Sequence, residues 1–130
     1  MNSQDKSNSM WIMVSGPYRA GKAGPGEQAE NLTALNRAAL ALFKLGHVPV
    51  IGVNLALPMV AAAGAAAYDE LMMPMSLAIA ARCDACLRIG GPSEGADTEV
   101  AFFQARLLPV YHDLGEVPQP RAHRERADPT

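Results

Sequence analysis

Carboxylates beside a glycine-bearing turn are the residues of this chain best suited to do chemistry. Asp84, Asp97 and Glu99 cluster around residues 87–100, LRIGGPSEGADTEV, while Asp69 and Glu70 open the helical stretch before it. Paired carboxylates support cleavage of a glycosidic bond, one acting as nucleophile and the other as proton donor. The stretch reads as the end of a buried strand, a turn at Gly90-Gly91-Pro92-Ser93-Glu94-Gly95, and a helix from about Ala96. Such a corner aims backbone N–H groups and the positive helix end at one spot, which suits an anion or a sugar. Glu99 then falls on the first helical turn, where an acidic residue stabilises a helix N-terminus by about 0.3–1 kcal/mol. That structural role competes with a chemical one, in which the carboxylate attacks a ligand held in the cradle.

A second glycine-rich loop, residues 16–26 (GPYRAGKAGPG), follows the first apolar run. Gly16 to Ala23 nearly matches the phosphate loop G-x-x-x-x-G-K-[ST], with Lys22 as the phosphate ligand. Ala23 has no hydroxyl for magnesium, and Gly24-Pro25-Gly26 delays the helix that should start at the lysine. Tyr18 and Arg19 are the stronger candidates there, Arg19 as a two-point clamp on a phosphate or carboxylate. Cys83 and Cys86 form a C-x-x-C pair where a helix ends and a strand begins, which reads as two reduced, buried thiols. His47, His112 and His123 are scattered, so no metal site is expected. Met72, Met73 and Met75 read as core or subunit interface.

These loops need strands and helices to hold them. Residues 11–15 (WIMVS), 48–53, 85–89 and 108–111 read as strands. Helices are expected over about 27–45, 57–67, 68–82 and 96–106, the first from the spacing of Leu32, Leu35, Ala39, Leu42 and Leu45 before Gly46. Pro74 is tolerated only near a first turn or at a kink. Residues 115–117 read as a turn or the edge of a fifth element. Alternating strands and helices predict a single α/β domain over residues 10–117, a flavodoxin- or Rossmann-like parallel sheet of four or five strands flanked by helices. Residues 1–9 are expected to be disordered and 118–130 to form a mobile, charged tail. In such folds both glycine loops open on the carboxyl edge of the sheet and share one pocket.

Composition narrows the partners. The 130 residues are 49% hydrophobic but only 5% aromatic, so the core is built of Ala, Leu, Val and Met. A net charge of −2 gives no basic field for a nucleic-acid polymer. The longest apolar run, residues 55–67, contains Pro58 and Gly64 and falls short of the roughly 20 residues of a membrane span. The polar N-terminus lacks the apolar centre of a signal peptide, so a cytoplasmic protein is expected.

Taken in order, strand-Gly16-Pro17-Tyr18-Arg19, Leu45-Gly46-His47-x-Pro49, Cys83-Asp84-Ala85 and Gly90-x-x-Ser93-x-Gly95-Ala96-x-x-Glu99 resemble the nucleoside 2-deoxyribosyltransferase-like superfamily. The resemblance spans about residues 11–117, with small bacterial members nearest and 2'-deoxynucleoside 5'-phosphate N-hydrolases more distant. It implies a homo-oligomer acting on a small-molecule nucleoside or nucleotide, with no metal or cofactor. It implies Glu99 as the nucleophile that forms a covalent glycosyl-enzyme, resolved by water or by a second base. Gly16, Tyr18 and Arg19 match first-loop substrate contacts, and Ser93 and Gly95 match positions that hold a 5'-phosphate. Relatives carry an acid eight residues before Asp84 that protonates the leaving base, and this chain has Ser76 there. Asp69, Asp84 and Asp97 are the replacements to weigh, for acid or base-recognition roles. Asp69 lies two helical turns from Ser76, about 10 Å, and can substitute only if the helix breaks, as at Pro74. The alternative is a binding module that has lost its acid.

Overall fold

The computed structural model describes residues 9–21 and 23–120. Four strands, β1 (Trp11–Ser15), β2 (Val48–Val50), β3 (Ala85–Arg88) and β4 (Val110–Tyr111), form one parallel sheet in the order β2-β1-β3-β4. Four helices connect and flank them: α1 (Pro25–Leu45), α2 (Gly52–Ala63), α3 (Tyr68–Ala80) and α4 (Glu94–Ala105). Short 3₁₀ turns occupy Ala65–Ala67 and Leu114–Glu116. The chain is therefore a single-domain α/β protein of Rossmann/flavodoxin-like architecture. Among the described residues no helix is long and apolar enough to cross a membrane.

The two-residue alternation of strands sorts side chains between two cores. Ile12 and Val14 of β1 join Ala85 and Leu87 of β3 against Leu35 and Leu42 of α1. The residues between them, Met13 and Cys86, face the other way, against Ala80 of α3 and Phe103 of α4. Phe103 is fully buried, which contributes about 1.5–3 kcal/mol. Cys83 and Cys86 are both buried free thiols in that second core. Burial pushes both up to about 11, so they stay protonated and unreactive near neutral pH.

Among the differences from the sequence reading, three concern the site and the edge opposite it. β2 ends at Val50 and α2 starts at Gly52, five residues before the expected helix. A short buried apolar run cannot separate strand from helix by periodicity; here the chain must turn at the sheet edge. An added Cβ on Gly52 would lie 2.2 Å from Ser76 Oγ, so α2 approaches α3 at a point only glycine fits. Second, α3 runs without a break through Pro74. Third, order extends past residue 117. Pro120 is fully buried, and the Pro118 carbonyl lies 2.7 Å from His47 Nε2. The remainder of the expected tail, residues 121–130, lies outside the described residues, as do residues 1–8.

Candidate active site

The order β2-β1-β3-β4 sends the chain outward in both directions from the neighbours β1 and β3, and ligands bind at the carboxyl ends of such strands. A cleft of about 730 Å³ lies there. Its floor comes from the end of β1, its walls from the loop 16–21, the start of α2, one face of α3 and the start of α4. Both glycine-bearing loops do converge on it. Gly16 is needed at the junction, because a Cβ there would come within 2.8 Å of the Ile89 carbonyl.

Glu99 comes from α4 and lines this cleft. Because α4 starts at Glu94, the acids of its first turn are Glu94 and Asp97, and Glu99 lies beyond the reach of the helix-end effect. Its helical neighbour one turn on is the buried Phe103, which places Glu99 on the inward face. Glu99 keeps some surface along the cleft, yet enough protein surrounds its carboxyl to raise its pKa. The hydroxyls of Ser15 and Ser76, then Arg88, oppose that rise. Ser15 ends β1 on the face of Met13, and its Oγ accepts a hydrogen bond from Cys86 Sγ at 3.4 Å. Ser76 is 1% exposed. Its Oγ is near enough to Glu99 to act on that carboxyl, yet it forms no hydrogen bond of good geometry among the described residues.

The rim is held by fewer, more polar contacts. The Arg19 guanidinium sits 3.8 Å over the ring of Tyr68. Burial raises the Tyr68 pKa and Arg19 opposes the rise. The Tyr18 carbonyl accepts from Asn31 of α1 at 2.9 Å. Ser93 caps α4, its Oγ accepting from the Ala96 N–H at 3.1 Å. Arg88 bonds the carbonyls of Ile89 and Gly91 and pairs with Asp97 at 3.4 Å. It thereby pins the turn before α4, and Asp97 is its anchor. Gly95 and Asp69 both line the cleft, Asp69 as an exposed residue at its mouth.

Asp84 is elsewhere. It precedes β3 at the amino edge of the sheet, where its carboxylate accepts the Trp11 N–H at 2.9 Å. Its role there is to hold the starts of two strands together, and it does not line the cleft. Asp69 lines the cleft, but the unbroken α3 keeps it about 10 Å from Ser76 along the axis, so the helix break that an acid role required is absent. Met72 and Met73, expected as core or interface, line the cleft wall. Lys22 lies outside the described residues. α1 begins at Pro25, two residues before the expected start, with Gly26 already inside it. Ser15, Gly52 and Tyr68 were not singled out from the sequence. Strand alternation was the available signal for Ser15; the pairing of Tyr68 with Arg19 has no local signature. Among the described residues no three His, Cys, Asp or Glu side chains gather as metal ligands. Compared with protein families and with curated proteins, the chain matches no family model and no curated sequence.

Proposed function

We propose that the cleft cleaves or transfers the N-glycosidic bond of a nucleoside or nucleoside 5'-monophosphate, with Glu99 as nucleophile. The supporting observation is the placement of one desolvated carboxylate at the end of β1, beside the Ser15 and Ser76 hydroxyls and the start of α4. A carboxylate stripped of water is a stronger nucleophile once ionised, and its raised pKa records that loss of hydration. Glu99 attacks the anomeric carbon, the bond to the base breaks, and water or another base releases the sugar. The first turn of α4 offers N–H groups to sugar or phosphate oxygens. Arg19 and Tyr68 close the opposite side, and Met72 and Met73 supply an apolar wall for a base. The reading includes a cytoplasmic homo-oligomer, with exposed Leu40, Phe43, Leu55 and Met59 as its contact.

Ser76 at the place of the expected acid favours a second reading, a nucleotide-binding module without catalysis. The test is incubation of concentrated protein with ribo- and deoxyribonucleosides and their 5'-monophosphates, following free base by chromatography. Base release that disappears in Glu99→Gln is the result expected. Thermal stabilisation by a nucleotide with no release from any substrate would replace the enzyme by the binding module.

A further inference from the structure

The carboxylates of the cleft are unevenly placed. Glu99 is the one that protein desolvates, while Asp69, Glu94 and Asp97 are exposed at the rim. Deep in the site, the groups beside Glu99 are the buried hydroxyls of Ser15 and Ser76, the latter without a hydrogen-bond partner among the described residues. A serine hydroxyl does not serve as a general acid near neutral pH, so among the described residues the interior holds a nucleophile with no proton donor opposite it. The charge balance is equally uneven. Four carboxylates line the cleft, Asp97 among them paired from behind the turn with Arg88, and the one cation among the described lining residues is Arg19, whose guanidinium is already stacked on Tyr68. A low-dielectric cleft lined by one sign of charge concentrates ligands of the other sign.

We propose that the substrate is a cationic N-glycoside, one whose base is a pyridinium-type heteroaromatic cation. This rests on the N-glycosidase reading of the same cleft and deepens it. A Glu99 carboxylate oxygen bonds to the anomeric carbon, and the bond from that carbon to the ring nitrogen breaks. The bonding pair goes to the nitrogen, so the positively charged base departs as a neutral molecule and requires no proton. Water then attacks the anomeric carbon of the glycosyl ester, restoring the Glu99 carboxylate and the sugar hydroxyl and releasing one proton to solvent. A neutral base expelled without a proton would have to leave as an anion into an acidic cleft. The cation also acts on the nucleophile, since a positive charge nearby favours the ionised carboxylate and offsets its desolvation.

The test uses the N-ribosyl and N-(2-deoxyribosyl) nicotinamide cations beside uridine, inosine and their deoxy forms. Each enzymatic kcat/KM is divided by the spontaneous hydrolysis rate of that substrate, which removes intrinsic leaving-group reactivity. The expected result is an acceleration of the cations, lost in Glu99→Gln, that exceeds the acceleration of neutral nucleosides by about 10²–10⁴-fold, the usual contribution of a missing general acid. Equal or greater acceleration of neutral nucleosides, also lost in Glu99→Gln, would overturn the cationic class and leave the N-glycosidase reading standing. No acceleration of any substrate would remove both.

Discussion

The two edges of the sheet use the same kinds of polar residue to opposite ends. At the amino edge every notable group is matched. Asp84 accepts from Trp11 N–H, Ser9 Oγ donates to the Gly46 carbonyl, and His47 spans Met10 and Pro118. His47 Nδ1 accepts from the Met10 N–H at 3.0 Å, which leaves Nε2 to donate to the Pro118 carbonyl. At the carboxyl edge the Ser76 hydroxyl is left without a partner and Glu99 is stripped of water. Satisfied polar groups stabilise a fold; a desolvated or unmatched one costs stability and persists where a ligand completes it. The difference teaches that an acid near a glycine loop in sequence is informative only once its edge is known.

The sharpest way to break this contrast is Glu99→Gln. Its expected effect on base release is a loss on the order of 10⁴-fold, as for removal of an enzyme's nucleophile, measured with the best substrate found. Its effect on folding should have the opposite sign. A carboxyl whose pKa is raised by folding binds its proton more tightly in the folded state. Stability therefore falls as pH rises from the ordinary carboxylate pKa through the raised one. Glu99→Gln should accordingly raise the melting temperature near neutral pH and lose that advantage in acid, and activity of the parent should rise through the same window as the nucleophile ionises. An unchanged or lower melting temperature near neutral pH would place the cost of desolvation elsewhere.

At the opposite edge the signs reverse. His47→Ala orphans the Met10 N–H and the Pro118 carbonyl, so urea denaturation should show a loss of about 2–6 kcal/mol, at roughly 1–3 kcal/mol per stranded group. Turnover per folded molecule should not change. Within the cleft itself, at the carboxyl edge, Gly52→Ala drives a methyl into Ser76 Oγ and should cost about 1–3 kcal/mol. Much of that loss should return in the Gly52→Ala, Ser76→Ala double variant; additive losses would show that the clash is with backbone instead. The smallest effect is expected for Asp84→Asn, about 1 kcal/mol in stability for a weakened exposed hydrogen bond to Trp11, with base release intact. Loss of base release in folded Asp84→Asn would break the contrast between the edges.

Much of this architecture was legible from residue pattern. The short apolar run WIMVS marked β1 to the residue, and the spacing of Leu35 and Leu42 before Gly46 marked α1. The convergence of the loops after β1 and β3 followed from fold logic alone. What failed did so for physical reasons. Asp84 looked clustered with Asp97 and Glu99, but the four residues of β3 separate its two ends by about 13 Å and deliver the neighbours to opposite edges. Glu99 looked like a first-turn acid because Ser93 was not recognised as the cap, which moves the helix start back to Glu94. The contact of Gly52 with Ser76 depends on how α2 and α3 pack, which no local spacing encodes.

The outermost strands have one more consequence. β2 and β4 are three and two residues long, and the middle residue of β2, opposite Ile12 of β1, is Pro49, which has no N–H to offer. Short edges and edge prolines are how sheets avoid templating the addition of foreign strands. A chain with so aliphatic an interior is thereby protected against fibrillar growth at high concentration by the poverty of its borders.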